Sequence, residues 1–215
     1  MKKQSIPIAA EGYPFIGFLA LITLVCAGLD YPVISLPALL CTGFCLYFFR
    51  DPERISPEDD SVIVAPADGR IILVEKSSDE RFVKEEALKI SIFMNLLNVH
   101  VNRIPFPGRV KSVRFSSGRF YSADTERAAL ENEWCALVID TDRKYSYTVV
   151  QIAGLIARRI VCRAEPGEVV NLGQRFGLIY FGSRLDVYLP PDTKVQVEKD
   201  QKVRAGETAL GYFRR

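Results

Sequence analysis

Beyond residue 60 the chain is written almost entirely in short β-branched and aromatic runs punctuated by glycine and proline: VIVAPADGRIILVE, LKISIFM, VHVNRIPFPGRVKSVRF, WCALVIDT, YSYTVVQIAG, RRIVCRAE, RFGLIYF, LDVYLP and TALGYF. Side chains of this kind fit a pleated, half-buried surface, and many short strands with turn signals between them close into a sandwich or barrel. Only DTERAALEN at 124–132 reads as a helical turn or two, with Asp124 as its candidate cap. The expected fold of residues 61–215 is therefore an all-β-rich barrel or sandwich.

A weak internal echo refines that expectation. PGEVVNLGQ at 166–174 and KVRAGET at 202–208 each place a valine three residues before a glycine and lead into an apolar strand. Valine-loop-glycine hairpins of this form occur in barrel-sandwich-hybrid-like domains, although a glycine there equally serves a turn that needs a positive φ.

Residues 13–49 are of another kind. Two apolar runs, Tyr13 to Leu29 and Tyr31 to Phe49, flank Asp30, a residue costly at a bilayer centre and comfortable in a turn. They read as an apolar helical hairpin, with lengths at the short end of the roughly 17 to 25 residues that span hydrocarbon. Pro32 suits a first helical turn and Pro37 favours a kink, so a spanning hairpin and one that dips into a single leaflet both fit. Lys2 and Lys3 precede the runs and Arg50 and Arg54 follow them. By the positive-inside rule both ends, and the domain behind them, belong on the cytoplasmic face of the cell membrane. A cleaved signal peptide is the rival reading, and Leu-Val-Cys-Ala at 24–27 hints at a lipoprotein site. Val25 in place of a small residue and the second apolar run argue against it. RDPERISPEDDS at 50–61 is a polar, proline-bearing linker. The expected division is residues 1–60 as membrane-associated hairpin and linker, and 61–215 as the β-rich domain.

Composition closes off several chemistries. Lys and Arg number 28 against 26 Asp and Glu, a net charge of +2, too balanced for bulk electrostatic binding of nucleic acid. A hydrophobic share of 48% excludes disorder. His100 is the only histidine, so no multi-histidine ligand set can be assembled and no metal is expected. Cys26, Cys41, Cys45, Cys135 and Cys162 contain no CxxC pair and are odd in number, which favours reduced, inert thiols.

Three stretches set a polar group beside tight-turn residues: Asp68 in APADGRI, His100 in NVHVNRIP and Ser183 in YFGSRLDVYLP. Each has a plain structural reading. Asp68-Gly69 suits a two-residue hairpin turn. His100 in alternating VHVNR suits a half-buried strand position. Ser183 after Gly182 suits a polar strand residue at a glycine bulge.

Those stretches lie within FFRDPER at 48–54, APADGRI at 65–71, FMNLLNVHVNRIPFPG at 93–108 and RFGLIYFGSRLDVYLP at 175–190, in that order behind an apolar hairpin. With them the chain resembles, over nearly its whole length, phosphatidylserine decarboxylase of the short prokaryotic type. The resemblance implies a pyruvoyl-dependent proenzyme that cuts itself between glycine and serine. Here the cut falls between Gly182 and Ser183, gives a large chain of residues 1–182 and a small chain of 183–215, and turns Ser183 into the covalent pyruvoyl group. Decarboxylating an amino acid leaves a carbanion that no standard side chain can absorb, and a carbonyl cofactor supplies the electron sink. No glycine-rich phosphate cradle for pyridoxal phosphate stands near a lysine in this sequence.

By the same resemblance the substrate is the membrane phospholipid phosphatidylserine, the products are phosphatidylethanolamine and carbon dioxide, and His100 matches the family's decarboxylation histidine. Arg103 occupies the place of a second histidine that longer bacterial members link to self-cleavage. Three routes stay open: His100 serving both stages, Asp68 assisting through water, or Arg103 polarising the glycine carbonyl. Asp68 matches the family's motif aspartate and is the candidate to orient or activate a partner. Arg103 and Arg184 are candidate phosphate or carboxylate clamps, since a guanidinium offers a bidentate fork, or else solvated strand-edge arginines. Two readings from other classes compete. A non-enzymatic membrane-anchored adaptor with a barrel-sandwich domain predicts an uncut chain indifferent to Ser183. A serine hydrolase built on Ser183, His100 and Asp68 lacks the GxSxG elbow.

Overall fold

The computed structural model describes residues 7–143, 145–156 and 159–213; Lys2 and Lys3, two of the four basic residues flanking the hairpin, lie outside the described residues. The chain divides into two compact units, Met1–Glu53 and Arg54–Arg215.

In the first unit a 3-10 turn, Ala10–Gly12, leads into α1 (Tyr13–Gly28), and α2 (Pro32–Phe48) returns antiparallel to it. Pro14 and Pro32 stand in the first turns, where an amide hydrogen has no helical partner to lose. Asp30 adopts φ 62° at the turn, a conformation that a short polar side chain tolerates. The amide of Tyr31 donates to the Cys26 carbonyl at 2.8 Å and that of Asp30 to Ala27 at 3.2 Å, which satisfies the last carbonyls of α1. Pro37 lies inside α2 without ending it. The stretch Ala10–Gly28, 19 residues with mean hydropathy 1.7, is long and apolar enough to cross a membrane, whereas α2 is shorter at 17 residues. At the base of the pair Ile8 bridges Arg50, and the rings of Phe15 and Phe49 stack at 5.7 Å.

The second unit is built of strands β1 (Val62–Val64), β2 (Gly69–Ser77), β3 (Ala87–Met94), β4 (Val101–Arg103), β5 (Gly108–Ser116), β6 (Trp134–Asp140) and β7 (Ser146–Ile152). They continue as β8 (Ile160–Cys162), β9 (Val169–Val170), β10 (Arg175–Ile179), β11 (Ser183–Leu189), β12 (Lys194–Val195), β13 (Lys202–Val203) and β14 (Ala209–Tyr212). Eight of them form a curled antiparallel sheet in the order β13-β2-β3-β11-β7-β6-β5-β9, and β1-β14-β12 and β4-β10-β8 make two smaller sheets. The β-rich expectation is met.

The sequence echo marks the two edges of the large sheet. Val170 and Val203 lie in the outermost strands β9 and β13, and Gly173 and Gly206 turn the chain behind them at φ 72° and 76°. A β-carbon on Gly206 would lie 3.8 Å from the Cα of Gly173, so the curl brings the two edge turns together.

The central strands β3 and β11 are buried on both faces, so the polar Lys89, Ser91, Arg184 and Asp186 are enclosed along with their apolar neighbours. Leu185, Val187 and Leu189 of β11 join Ile90, Ile92 and Met94 of β3 in the main core. The reverse face, with Tyr188, Val150 and Ile152, packs around Phe82 and Trp134. Two local expectations are corrected. The short helix α3 of this unit (Glu126–Glu131) is capped by Thr125, whose Oγ1 accepts from the Ala128 amide, while Asp124 accepts from the Ser122 hydroxyl instead. Asp68-Gly69 is no hairpin turn: β1 pairs with β14 and β2 with β3 and β13, so the dipeptide passes the chain between sheets.

Candidate active site

Ser183 is the first residue of β11, the strand between β3 and β7. Antiparallel pairing sets Ser183 opposite Met94, the last residue of β3, and Arg184 opposite Ile152, the last of β7. Three strand ends therefore meet at the Gly182-Ser183 junction. Just ahead of it Phe181 and Gly182 take positive φ, 36° and 69°. Phe181 in that region stores local backbone strain, which a glycine at the same φ would avoid. Gly154, two residues past the end of β7, packs on the Gly182 carbonyl so closely that a β-carbon there would overlap the oxygen.

Ser183 itself is fully buried, and its hydroxyl meets the Met94 sulfur at 3.8 Å. A thioether accepts weakly, so this buried hydroxyl holds no strong hydrogen bond that an attack on a neighbouring carbonyl would have to break. The same sulfur receives the Asn102 amide at 3.7 Å, and Gln151 donates to Asn102 Oδ1 at 2.8 Å. Gln151 Oε1 is buried with no hydrogen-bond partner among the described residues. Gln151 pairs with Leu185, on the face of the sheet that Ser183 also uses. His100 stands immediately ahead of β4, two residues before Asn102. The imidazole is 2% exposed and its Nδ1 lies 3.0 Å from the Asn98 carbonyl. A carbonyl only accepts, so Nδ1 carries the hydrogen and Nε2 is the nitrogen able to take up a proton.

Asp68 and Arg103 stand elsewhere. The Asp68 carboxylate receives both a 2.9 Å ion pair from Arg54 and the Ala205 amide at 2.8 Å. Arg54 also reaches Glu207 at 3.2 Å. Arg103, on the face of β4 opposite Asn102, donates to the Gly173 carbonyl at 3.0 Å, and its Cδ would lie 3.1 Å from a β-carbon on Gly206. These side chains gather where the two edge turns of the sheet meet. Among the described residues no hydrogen bond joins Asp68 to His100 or His100 to Ser183, so the hydrolase-type relay is not assembled.

Arg184 points to the sheet face opposite Ser183. There it pairs with Asp186 at 2.6 Å and donates to Ser91 Oγ at 2.9 Å, while Lys89 approaches the other Asp186 oxygen at 3.3 Å. This explains how β11 stays wholly buried while carrying two charges. All five cysteines are free. Cys135, the register partner of Gln151, donates to Cys162; that bond and then burial raise the Cys135 thiol, while the same bond lowers that of Cys162 against the opposing effect of burial. No group of three or more His, Cys, Asp or Glu able to hold a metal occurs among the described residues. A cavity of about 720 Å3 opens at the other end of these strands, against Ala87, Thr148 and Leu189, and none of the five nominated residues lines it.

Gly154, Met94, Asn102 and Gln151 escaped the sequence reading. Two of them carry a visible signal: Asn102 shares the alternation of VHVNR with His100, and Gln151 interrupts the apolar run YTVVQIA. The other two are ordinary residues whose importance comes from which strand ends meet.

A profile of the family described as phosphatidylserine decarboxylase matches residues 41–211. The chain is similar to a phosphatidylserine decarboxylase proenzyme of Desulfotalea psychrophila, 52% identical across 99% of this chain and 100% of the relative. Proenzymes of the same name from Syntrophotalea carbinolica and Geotalea uraniireducens are 46% and 48% identical, each covered over its full length. The chain therefore belongs to the phosphatidylserine decarboxylase family.

Proposed function

We propose that this chain is a proenzyme that cuts itself between Gly182 and Ser183 and then converts phosphatidylserine to phosphatidylethanolamine and carbon dioxide, on the cytoplasmic face of the membrane. Family membership supports the reading over a non-enzymatic adaptor. The observation that carries it is the junction itself: two successive positive-φ residues deliver a carbonyl, wedged on Gly154, to a buried serine whose hydroxyl rests on a thioether.

In maturation Ser183 Oγ adds to the Gly182 carbonyl carbon, the Gly182–Ser183 amide bond breaks, and the acyl group passes to oxygen. Loss of the large chain's carboxylate leaves dehydroalanine, and hydrolysis with release of ammonia leaves the pyruvoyl group. The surroundings fit such a group, since residue 183 is enclosed, the Met94 sulfur that its hydroxyl meets also receives the Asn102 amide, and Gln151 Oε1 lacks a partner among the described residues. Once formed, the pyruvoyl carbonyl supplies the electron sink for loss of carbon dioxide. His100, with Nδ1 held by the Asn98 carbonyl, moves the proton that must return to the α carbon. Asp68, Arg54 and Arg103 act as positioning residues that hold the edge turns together, and Arg184 fixes the strand behind residue 183.

The two chains stay one body after cutting because the small chain's strands are interleaved. β11 lies between β3 and β7, β14 lies between β1 and β12, and β13 pairs with β2. The apolar helices α1 and α2 anchor the protein, and the flanking Lys2, Lys3, Arg50 and Arg54 set its orientation. Intact-mass measurement tests the reading: the purified protein yields two chains, the smaller spanning 183–215 and shifted by borohydride, and Ser183→Ala yields one inactive chain. An uncut wild-type polypeptide with full activity overturns it.

A further inference from the structure

The strand order at Ser183 has a counterpart on the surface. Because β3 and β7 both run antiparallel to β11, the loops that follow them, residues 95–98 and 153–156, emerge on either side of Ser183 at one end of the sheet. Both loops carry large apolar side chains into solvent: Leu97 is 62% exposed, Leu155 53% and Ile156 61%. Neither contains an acidic residue. Elsewhere in this unit exposed apolar residues such as Ile55 and Val169 occur singly and need no explanation. Here they bracket the one junction where chemistry is expected. Arg159 is exposed just beyond the second loop, its guanidinium 5.7 Å from the ring of Tyr180, two residues before Gly182.

We propose that these two loops form a lipid-inserting rim of the β unit, with Leu97, Leu155 and Ile156 entering the acyl region of an anionic leaflet and Arg159 meeting its phosphate or carboxylate groups. This rests on the phospholipid reading above and extends it. The hairpin holds the protein to a membrane, whereas the rim delivers the headgroup to residue 183 without withdrawing the lipid from its leaflet. Apolar tips with a basic flank suit an anionic lipid surface in particular, since aliphatic burial supplies affinity and the arginine selects charge. A protein partner would be expected to leave no dependence on acyl chains.

The test uses the full-length protein reconstituted with phosphatidylserine vesicles whose acyl chains are brominated. Leu155→Trp places an indole at the rim, and the native Trp134 of the unsubstituted protein gives the background. Quenching of the new indole beyond that background is expected, and its absence overturns the proposal. In a second measurement Leu97→Ser/Leu155→Ser/Ile156→Ser is compared with wild type on bilayers and on dispersed short-chain phosphatidylserine. Rates are expected to fall by about tenfold or more on bilayers, given what one buried aliphatic side chain contributes, and to change little on the dispersed lipid. An equal loss on both overturns the proposal. If wild type turns over neither form, the decarboxylase reading fails, and the quenching result still decides whether the rim inserts.

Discussion

Gly154 lies against the carbonyl oxygen of Gly182 with no room for a side chain between them. The contact joins the end of β7 to the residue ahead of β11, and it fixes the carbonyl that Ser183 would attack in the proposed maturation. Gly154→Ala must push that carbonyl away, because backbone on both sides leaves nothing flexible to yield. We expect the variant to remain largely uncut while keeping its β structure, as read by gel and circular dichroism on the same sample. Cutting at the wild-type rate would remove the contact from the maturation step.

His100 is tied to the Asn98 carbonyl through Nδ1 and has no hydrogen bond to Ser183. We therefore expect His100→Ala to be cut at Gly182-Ser183 and to lose decarboxylation by roughly the 10² to 10⁴-fold of general acid-base catalysis. Processing on gels and carbon dioxide release separate the two stages. A variant that stays uncut places the imidazole in maturation as well.

The Asp68 carboxylate is held by Arg54 and by the Ala205 amide, with both charged side chains nearly buried. Breaking such a pair leaves an uncompensated charge and costs about 3 to 5 kcal/mol. Asp68→Asn keeps an acceptor for Ala205 and should lose less than Asp68→Ala. Denaturant titration of Asp68→Asn, Arg54→Met and the double variant should show less than additive losses. Slower maturation with unchanged turnover per processed molecule marks a positioning role. Additive losses would mean that the two side chains do not act together.

Much of this arrangement is legible in the sequence because periodicity and turn chemistry act locally. The hairpin with Asp30 at its turn follows from two apolar runs and one acid, and the valine-glycine echo marks both sheet edges. What the sequence hides is which strand ends meet. Asp68-Gly69 has the composition of a hairpin turn, yet pairing is decided by distant partners, β14 for one flanking strand and β3 for the other. The same limit applies to Arg103 and Arg184. Their guanidinium groups suit a ligand clamp by type, but strand alternation turns each away from the side that carries Ser183 and Asn102.

Tyr147 gives the protein an alkaline limit. Its hydroxyl donates to the Phe106 carbonyl at 2.5 Å, and burial raises its pKa well above the usual tyrosine value. Tyr188 is raised likewise, by burial and then by the nearby Asp186 charge. A group whose folded pKa is raised contributes stability fully below the unfolded value, about 10 for tyrosine, and loses it as pH climbs toward the folded value. We therefore expect denaturant stability in detergent to fall steadily above about pH 10, with tyrosinate absorbance from these two rings appearing only as the fold opens. Tyr147→Phe should cost about 1 kcal/mol near neutrality through the lost hydrogen bond. In return it should flatten the alkaline decline, since one proton linked to unfolding is gone. An alkaline limb identical to that of wild type would show that Tyr147 is not among the groups that set it.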